Sequence, residues 1–205
     1  MRLVGLARIV VAAAIVAAVV ATHLEAASRG PVNPFNLYGY FTIQSNLIAA
    51  ASWFIAGALA VRGRTRSVGV SLLGAIATTC LVIVGLVYAV LLAPLGAAGG
   101  VPLPWANLVL HVVSPLAAVI DWTLVGDRMR LSLTSLWVIL VYPIVWTAVV
   151  LIRGATDGWV PYPFLDPAQG YGVVAGYAAA IAVLFALAGG AVLLASRLGL
   201  RSPPR

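Results

Sequence analysis

Six long apolar runs dominate the pattern of hydrophobic and polar positions along the chain. Each contains about 20 residues or more, the length that a helix needs to cross the hydrocarbon core of a bilayer. Because backbone polar groups in a bilayer must be satisfied within the chain, such runs indicate helices. The pattern therefore predicts an all-α polytopic membrane protein, a six-transmembrane-helix bundle that forms one integral membrane domain over residues 1–205. The runs cover approximately residues 3–24, 34–61, 68–92, 105–125, 131–152 and 172–196.

Arginine positions predict the orientation of these spans. The chain has 12 basic residues, and all of them are arginine. If the spans alternate in direction, only Arg29 and Arg153 lie on one side of the membrane and the other arginines lie on the opposite side. Because cytoplasmic loops carry an excess of basic residues, we expect both the N-terminus and the C-terminus to be cytoplasmic. The arginines assigned to that side are Arg2, Arg8, Arg62, Arg64, Arg66, Arg128, Arg130, Arg197, Arg201 and Arg205.

Composition supports a membrane protein and excludes other classes. With 8% charged residues and a mean hydropathy of +1.09, the chain lies outside the range of soluble globular domains. The net charge of +7 indicates an arginine-rich rim that faces anionic lipid headgroups. Nucleic acid is not an expected partner, because no basic patch is interleaved with exposed aromatics. Arg2 and Arg8 also fit a cleavable signal peptide, but the first run is longer than a signal-peptide core, which favours a retained helix.

A polar cluster interrupts the second apolar run. Thr42, Gln44, Ser45 and Asn46 carry hydrogen-bonding side chains within a few residues, and an unpartnered polar group in hydrocarbon costs several kcal/mol, roughly 2–7. Helical spacing places Ser45 and Asn46 on the face of Thr42, whereas Gln44 points away. This face is expected either to grip a neighbouring helix or to line a site.

The fourth run carries a comparable feature around His111. Asn107 lies one turn earlier on the same face, and Pro115 removes the helical hydrogen bond to the carbonyl of His111, which predicts a distorted helix there. At 1.5 Å per residue, His111 lies about 10 Å beyond Pro104, and Thr42 lies about 12 Å beyond Pro34. If the two helices are neighbours, the hydroxyl and the imidazole can meet in the outer half of the bilayer.

These residue types suggest nucleophilic catalysis. A threonine hydroxyl is a weak nucleophile until a base accepts its proton, and a neutral imidazole suits that role near neutral pH. In this hypothesis Thr42 attacks, His111 is the base, and Ser45, Asn46 or Asn107 binds the substrate or its oxyanion. The alternative is structural: Thr42 and Ser45 bond to carbonyls of their own helix, and His111 makes an interhelical hydrogen bond.

Three segments then carry a family resemblance: Tyr40 to Asn46, His111 to Trp122, and Tyr162 to Asp166. They resemble the bacterial Pr6Pr membrane proteins, which are similar in turn to the androgen-induced, androgen-dependent-TFPI-regulating family of animal multi-pass membrane proteins. Members of the animal family are threonine hydrolases that cleave fatty acid esters of hydroxy fatty acids with an intramembrane threonine and histidine. The resemblance implies these roles for Thr42 and His111, lipid or lipid-like ester substrates, and the bacterial plasma membrane.

Other interpretations remain open at this point. The same cluster could serve a transporter or a small-ligand-binding protein, and His23 with His111 could be axial ligands of a haem. Scattered acids with two histidines give no metal-ligand spacing, so we expect neither a metal nor a cofactor. Glu25 could orient His111, whereas Asp121 is expected to pair with Arg66 or Arg128.

The loop from Arg153 to Tyr171 also has two interpretations. Its aromatic residues either anchor the chain at the lipid headgroups or cover an outward-facing pocket.

Overall fold

The computed structural model describes residues 1–198. Within them, six helices are long and apolar enough to cross a membrane, and no strand occurs, which confirms the predicted all-α six-helix bundle. Arg201 and Arg205, used above for the orientation, lie outside the described residues. The spans are α1 (Arg2–Arg29), α2 (Phe41–Val61), α3 (Val68–Gly96), α4 (Pro104–Val125), α5 (Leu133–Thr156) and α6 (Tyr171–Arg197).

The second span begins later than the sequence predicted. Asn33 does cap a helix, since its side chain accepts a hydrogen bond from the Phe35 amide at 2.9 Å, but that helix is the single turn Pro34–Leu37. The chain then turns, and α2 starts at Phe41. The continuous helix expected over residues 34–61 is therefore wrong.

Close packing at Gly39 explains this break. A Cβ on Gly39 would lie 2.6 Å from the Trp159 ring, so only glycine fits at this turn. The Trp146 indole also donates to the Gly39 carbonyl at 2.9 Å and holds the turn against α5. As a result, Thr42 lies in the first turn of α2, and the depth estimated from Pro34 does not apply.

Helix α4 is distorted at the position that Pro115 predicted. Residues Val109–Val113, which include His111, form a π-helical turn immediately before the α-helical segment Ser114–Ile120. Such turns widen the hydrogen-bond ladder and are common at functional sites. Helix α3 packs closely on this segment, because a Cβ on Gly85 would lie 3.0 Å from Pro115 Cβ.

Helix α3 occupies the centre of the bundle. It contacts α2, α4, α5 and α6, while α1 packs along α2 and also touches α4. The assumed adjacency of α2 and α4 is confirmed. Helices α1 and α2 approach closely at Gly5 and Gly57, where an added Cβ on either glycine would lie 2.7 Å from the carbonyl oxygen of the other. Gly172 and Gly176 of α6, by contrast, have no atom of another element within 4 Å of an added Cβ, so within residues 1–198 they do not mark a close helix contact.

A buried ion-pair network closes one end of the bundle. The Arg8 guanidinium of α1 donates to Asp121 at 2.8 Å and to both oxygens of Asp127 at 2.6 and 2.8 Å. Arg66 lies 3.4 Å from Asp121, as predicted, and 3.1 Å from Asp127. The side chains of Arg8 and Arg66 are 3% and 4% exposed, so the expectation that these two arginines face lipid headgroups is wrong. Pairing with the two carboxylates offsets part of the free energy that is lost when the guanidinium groups are buried.

Arg128 was the other arginine considered as a partner of Asp121, and it has different contacts. Its guanidinium donates to the Ala195 carbonyl at 2.6 Å and lies over the Trp122 ring.

Candidate functional site

The structure brings Thr42 and His111 into contact. Thr42 Oγ1 of α2 lies 3.3 Å from His111 Nε2 of α4, although the residues are 69 positions apart in the chain. The two residues are 6% and 5% exposed, so water hardly competes for this contact. The Thr42 hydroxyl faces His111 and Tyr162 and not a carbonyl of its own helix, which contradicts the back-bonding alternative for this residue.

The hydrogen bonds of His111 define its neutral tautomer. His111 Nδ1 lies 3.3 Å from the Asn107 carbonyl oxygen. Because a carbonyl can only accept, we assign the hydrogen of the neutral ring to Nδ1. Nε2 is then the acceptor and faces the Thr42 hydroxyl, as a general base requires. The Tyr88 ring stacks on the imidazole with centroids 4.3 Å apart, which fixes the plane of the ring.

Asn107 supports His111 and does not reach Thr42. Its amide nitrogen donates to the Tyr88 hydroxyl at 2.7 Å, and its amide oxygen accepts from the Val101 backbone at 3.2 Å. Asn107 therefore holds both the Tyr88 ring above His111 and, through its own carbonyl, the Nδ1 side of the imidazole.

Asn46 and Ser45 lie beside Thr42 but have other surroundings. The Asn46 amide nitrogen donates to the carbonyls of Thr42 and Leu110 at 2.9 and 3.0 Å, and its oxygen accepts from Ser114 at 2.6 Å. All of these groups are buried, so Asn46 clamps α2 to α4. Ser45 Oγ has no hydrogen-bond partner within the described residues. Neither residue lines the two cavities described below, and their role at an oxyanion stays a prediction.

The structure adds a residue that sequence reasoning did not place at the site. Tyr162, in the loop between α5 and α6, accepts a hydrogen bond from the Thr42 backbone amide at 3.2 Å, and its hydroxyl lies 3.4 Å from Thr42 Oγ1. Burial raises the pKa of Tyr162 to about 12, so the phenol keeps its proton. The signal in the sequence was the Tyr162 to Asp166 segment, but its position 120 residues from Thr42 gave no indication of contact.

Aromatic residues of this loop are buried and line the two cavities described below. Tyr162, Phe164 and Leu165 are buried, and Tyr162 stacks on Phe164 with centroids 5.4 Å apart. Trp159 packs against Gly39 and under the Arg153 guanidinium, 4.2 Å from the ring centroid. The arrangement fits the interpretation of the loop as a pocket cover.

Two cavities share Thr42 and Tyr162 in their walls. The first has a volume of about 500 Å³ and lies between α2, α3, α5 and α6 with almost entirely apolar walls, which include Phe41, Ile144 and Ala178. The second has a volume of about 400 Å³, and its walls include His111 and Arg29. Thr42 and Tyr162 line both cavities. A bound molecule could therefore extend to either side of the hydroxyl.

The remaining candidates lie elsewhere or have other partners. Glu25 pairs with Arg29 at 2.5 Å, and the Asn107 carbonyl takes the place beside His111 that Glu25 was considered for, so that interpretation is wrong. His23 Nδ1 lies 3.2 Å from the Tyr38 hydroxyl. Within residues 1–198, no three His, Cys, Asp or Glu side chains are grouped in a way that could hold a metal ion.

Comparisons with known proteins give one family match. A family model described as FAR-17a/AIG1-like protein matches residues 8–195, which include every element of the site. AIG1 stands for androgen-induced gene 1, the animal side of the resemblance noted above. No curated protein and no solved structure matches the chain.

Proposed function

The chain belongs to the FAR-17a/AIG1-like family, and from this premise we propose that it is a membrane hydrolase that cleaves lipid-type esters with Thr42 as nucleophile and His111 as base. Family membership fits a membrane hydrolase. The observation that carries the finer proposal is the 3.3 Å contact between Thr42 Oγ1 and His111 Nε2, two buried residues that line a cavity.

The proposed reaction has two stages. In the first, His111 Nε2 takes the Thr42 proton as the oxygen attacks the ester carbonyl, and the tetrahedral intermediate collapses when the leaving alkoxide receives that proton from the imidazolium. The products are an alcohol and an acyl-threonine. In the second stage, His111 deprotonates a water molecule that attacks the acyl carbon, and Thr42 recovers its proton as the fatty acid leaves.

The two cavities suit the two halves of an ester. The cavity of about 500 Å³ has the size and the apolar walls for an acyl chain. The cavity of about 400 Å³ contains the His111 side of the site and polar groups such as Arg29, and it suits the alcohol half. Since Thr42 lines both cavities, a substrate that fills both presents its carbonyl to the nucleophile, which supplies much of the rate enhancement through orientation.

Location and topology are part of the proposal. With both termini cytoplasmic, as the arginine distribution suggests, the site opens toward the outer leaflet, where lipid-like substrates enter from the bilayer. Residence in a bacterial plasma membrane and relation to the Pr6Pr proteins rest on the resemblance of the three sequence segments.

A fluorophosphonate probe tests the nucleophile, because such probes form a covalent bond with an activated hydroxyl. We expect the purified wild-type protein to be labelled and Thr42→Ala to remain unlabelled. Thr79→Ala is the matched control, since Thr79 is also buried in a span but its hydroxyl bonds only to the Ala75 carbonyl. Its labelling is expected to equal that of the wild type.

The opposite results separate the alternatives. Folded wild-type protein that is never labelled, or Thr42→Ala that is labelled normally, contradicts the enzyme and favours a transporter or ligand-binding protein using the same cavities. A Soret absorption band in the purified protein would instead favour haem binding.

The base can be tested by pH. We expect the labelling rate to fall as the pH drops through the pKa of His111, since an imidazolium cannot accept the Thr42 proton. His111→Gln is expected to lower the rate about 10²–10⁴-fold. A labelling rate that stays constant down to the lowest pH at which the protein remains folded contradicts the assignment.

A further inference from the structure

We propose that Tyr162 is a further catalytic residue of this site, donating a hydrogen bond from its phenolic hydroxyl to the oxyanion formed when Thr42 attacks an ester carbonyl. The inference rests on the proposed function and adds the group that stabilises the charged intermediate. Preorganised donors of this kind supply a large share of the rate enhancement in acyl-transfer enzymes.

The hydrogen bonds around Tyr162 leave its proton available. The phenolic oxygen accepts from the Thr42 backbone amide at 3.2 Å. That amide belongs to the first turn of α2, where helix N–H groups lack carbonyl partners within the helix. The O–H of Tyr162 is then free to point toward Thr42 Oγ1, 3.4 Å away. Accepting one hydrogen bond also strengthens the donation of another.

The position of Tyr162 matches where charge develops. It lines both cavities together with Thr42, so the carbonyl oxygen of a substrate that bridges them lies within reach of the phenol. The ring is held by stacking on Phe164, by an edge contact with Tyr40 at 5.7 Å and by a tilted contact with Trp146 at 6.0 Å. The hydroxyl is therefore fixed before the substrate arrives, as an oxyanion donor requires.

Neighbouring polar groups are poorer candidates for this role. The Asn46 side-chain amide already makes hydrogen bonds to Thr42, Leu110 and Ser114. To bind a substrate oxygen it would have to break buried hydrogen bonds between α2 and α4. Ser45 Oγ is unpartnered within the described residues but does not line either cavity.

The electron and proton movements balance without consuming the Tyr162 proton. As the Thr42 oxygen bonds to the carbonyl carbon, the carbonyl π electrons move to oxygen and the Thr42 proton moves to His111 Nε2. Tyr162 donates a hydrogen bond to the resulting oxyanion and remains neutral, consistent with its raised pKa of about 12. Collapse restores the C=O bond and releases the alkoxide, which takes the proton from His111.

Tyr162→Phe tests the inference in the full-length protein in detergent, with 4-nitrophenyl decanoate as substrate and the fluorophosphonate as a second probe. The substitution removes one oxygen and keeps the ring. We expect kcat to fall about 10²–10³-fold, with KM changed less than twofold and the phosphonylation rate lowered in parallel. Tyr38→Phe is the matched control, because it also removes one phenolic oxygen, but Tyr38 lines neither cavity and its hydroxyl lies beside His23; its kcat is expected to equal that of the wild type.

A replacement of Tyr162 by 3,5-difluorotyrosine covers the case in which Tyr162→Phe fails to fold. This residue keeps the hydroxyl but is more acidic, so we expect near wild-type kcat at low pH and a new alkaline limb where the phenol loses its proton. An unchanged alkaline profile overturns the inference.

The outcomes also separate this inference from the proposed function. Wild-type activity that Thr42→Ala abolishes and Tyr162→Phe leaves intact overturns the role of Tyr162 alone. Absence of both hydrolysis and labelling in folded wild-type protein overturns the proposed function itself. A loss in Tyr162→Phe that appears in KM or thermal stability, with kcat intact, assigns Tyr162 to packing and contradicts oxyanion binding.

Discussion

Removal of Arg8 from the buried ion-pair network is expected to destabilise the bundle strongly. The network contains two guanidinium groups, Arg8 and Arg66, and two carboxylates, Asp121 and Asp127, so its charges balance. Arg8→Met leaves two carboxylates that are only 15% and 19% exposed with a single positive partner. Breaking a buried pair by removing one member costs about 3–5 kcal/mol, because the remaining charge is uncompensated.

The assay is thermal unfolding of the detergent-solubilised protein followed by tryptophan fluorescence. Trp53 donates to Asp121 at 3.2 Å, so it reports on this end of the bundle. For a chain of this size each kcal/mol shifts Tm by about 2–4 °C, so the expected shift for Arg8→Met is about 6–20 °C. Arg29→Met is the matched control, because Arg29 is 63% exposed and pairs with Glu25 within one helix; an exposed pair of this kind contributes about 0–1 kcal/mol.

A double variant distinguishes charge imbalance from lost packing. Arg8→Met combined with Asp127→Asn restores the balance of charge. The loss of Tm in this double variant is expected to be much smaller than the sum of the losses in the two single variants. A Tm shift in Arg8→Met no larger than that in Arg29→Met contradicts the importance of the network. Tm shifts of Arg8→Met and Asp127→Asn that simply add in the double variant contradict charge imbalance as the cause.

Three further predictions follow from the packing and charges of the structure. Ala178→Leu narrows the apolar cavity. It is expected to lower kcat/KM for long acyl chains about tenfold or more relative to short ones, since each buried methylene contributes about 0.8 kcal/mol. Ala180 is exposed, so Ala180→Leu should show no such selectivity. Gly85→Ala places a Cβ 3.0 Å from Pro115. This overpacking is expected to lower the free energy of unfolding by about 1–3 kcal/mol and to lower activity by displacing His111. Gly176→Ala is the control, because its added Cβ has nothing within 4 Å, and its Tm should be unchanged or higher. Burial opposes ionisation of Asp127, but hydrogen bonds from Arg8 and the charges of Arg66 and Arg8 hold its pKa below the ordinary value. Its contribution to stability is therefore present above pH about 4 and lost as the pH falls through the lowered pKa. The Tm of the wild type is expected to fall over that range toward the Tm of an Asp127→Asn control, which should be lower at neutral pH and depend less on pH.

The sequence was sufficient to predict the spans, because a bilayer permits few solutions for an apolar run. Hydrocarbon contains no water to satisfy the backbone, so a run of about 20 apolar residues must become a helix. The same rule makes polar residues within such runs conspicuous. Thr42 and His111 could therefore be named as candidates, and Pro115 predicted a distortion of α4 that the π-helical turn at Val109–Val113 confirms.

The start of α2 was predicted less well, since it depends on packing between distant residues. The break before α2 occurs because Gly39 lies against Trp159, and no local pattern records that contact. It places Thr42 in the first turn of α2, where its amide is free to donate to Tyr162.

Partners between helices were decided only by the tertiary structure. Thr42 and His111 are 69 residues apart, Thr42 and Tyr162 are 120 apart, and Arg8 and Asp127 are 119 apart. The 3.6-residue period shows which side chains share a face of one helix, but it carries no information about which helix that face meets. The order of the helices and the folding of the α5–α6 loop over the cavities brought these groups together.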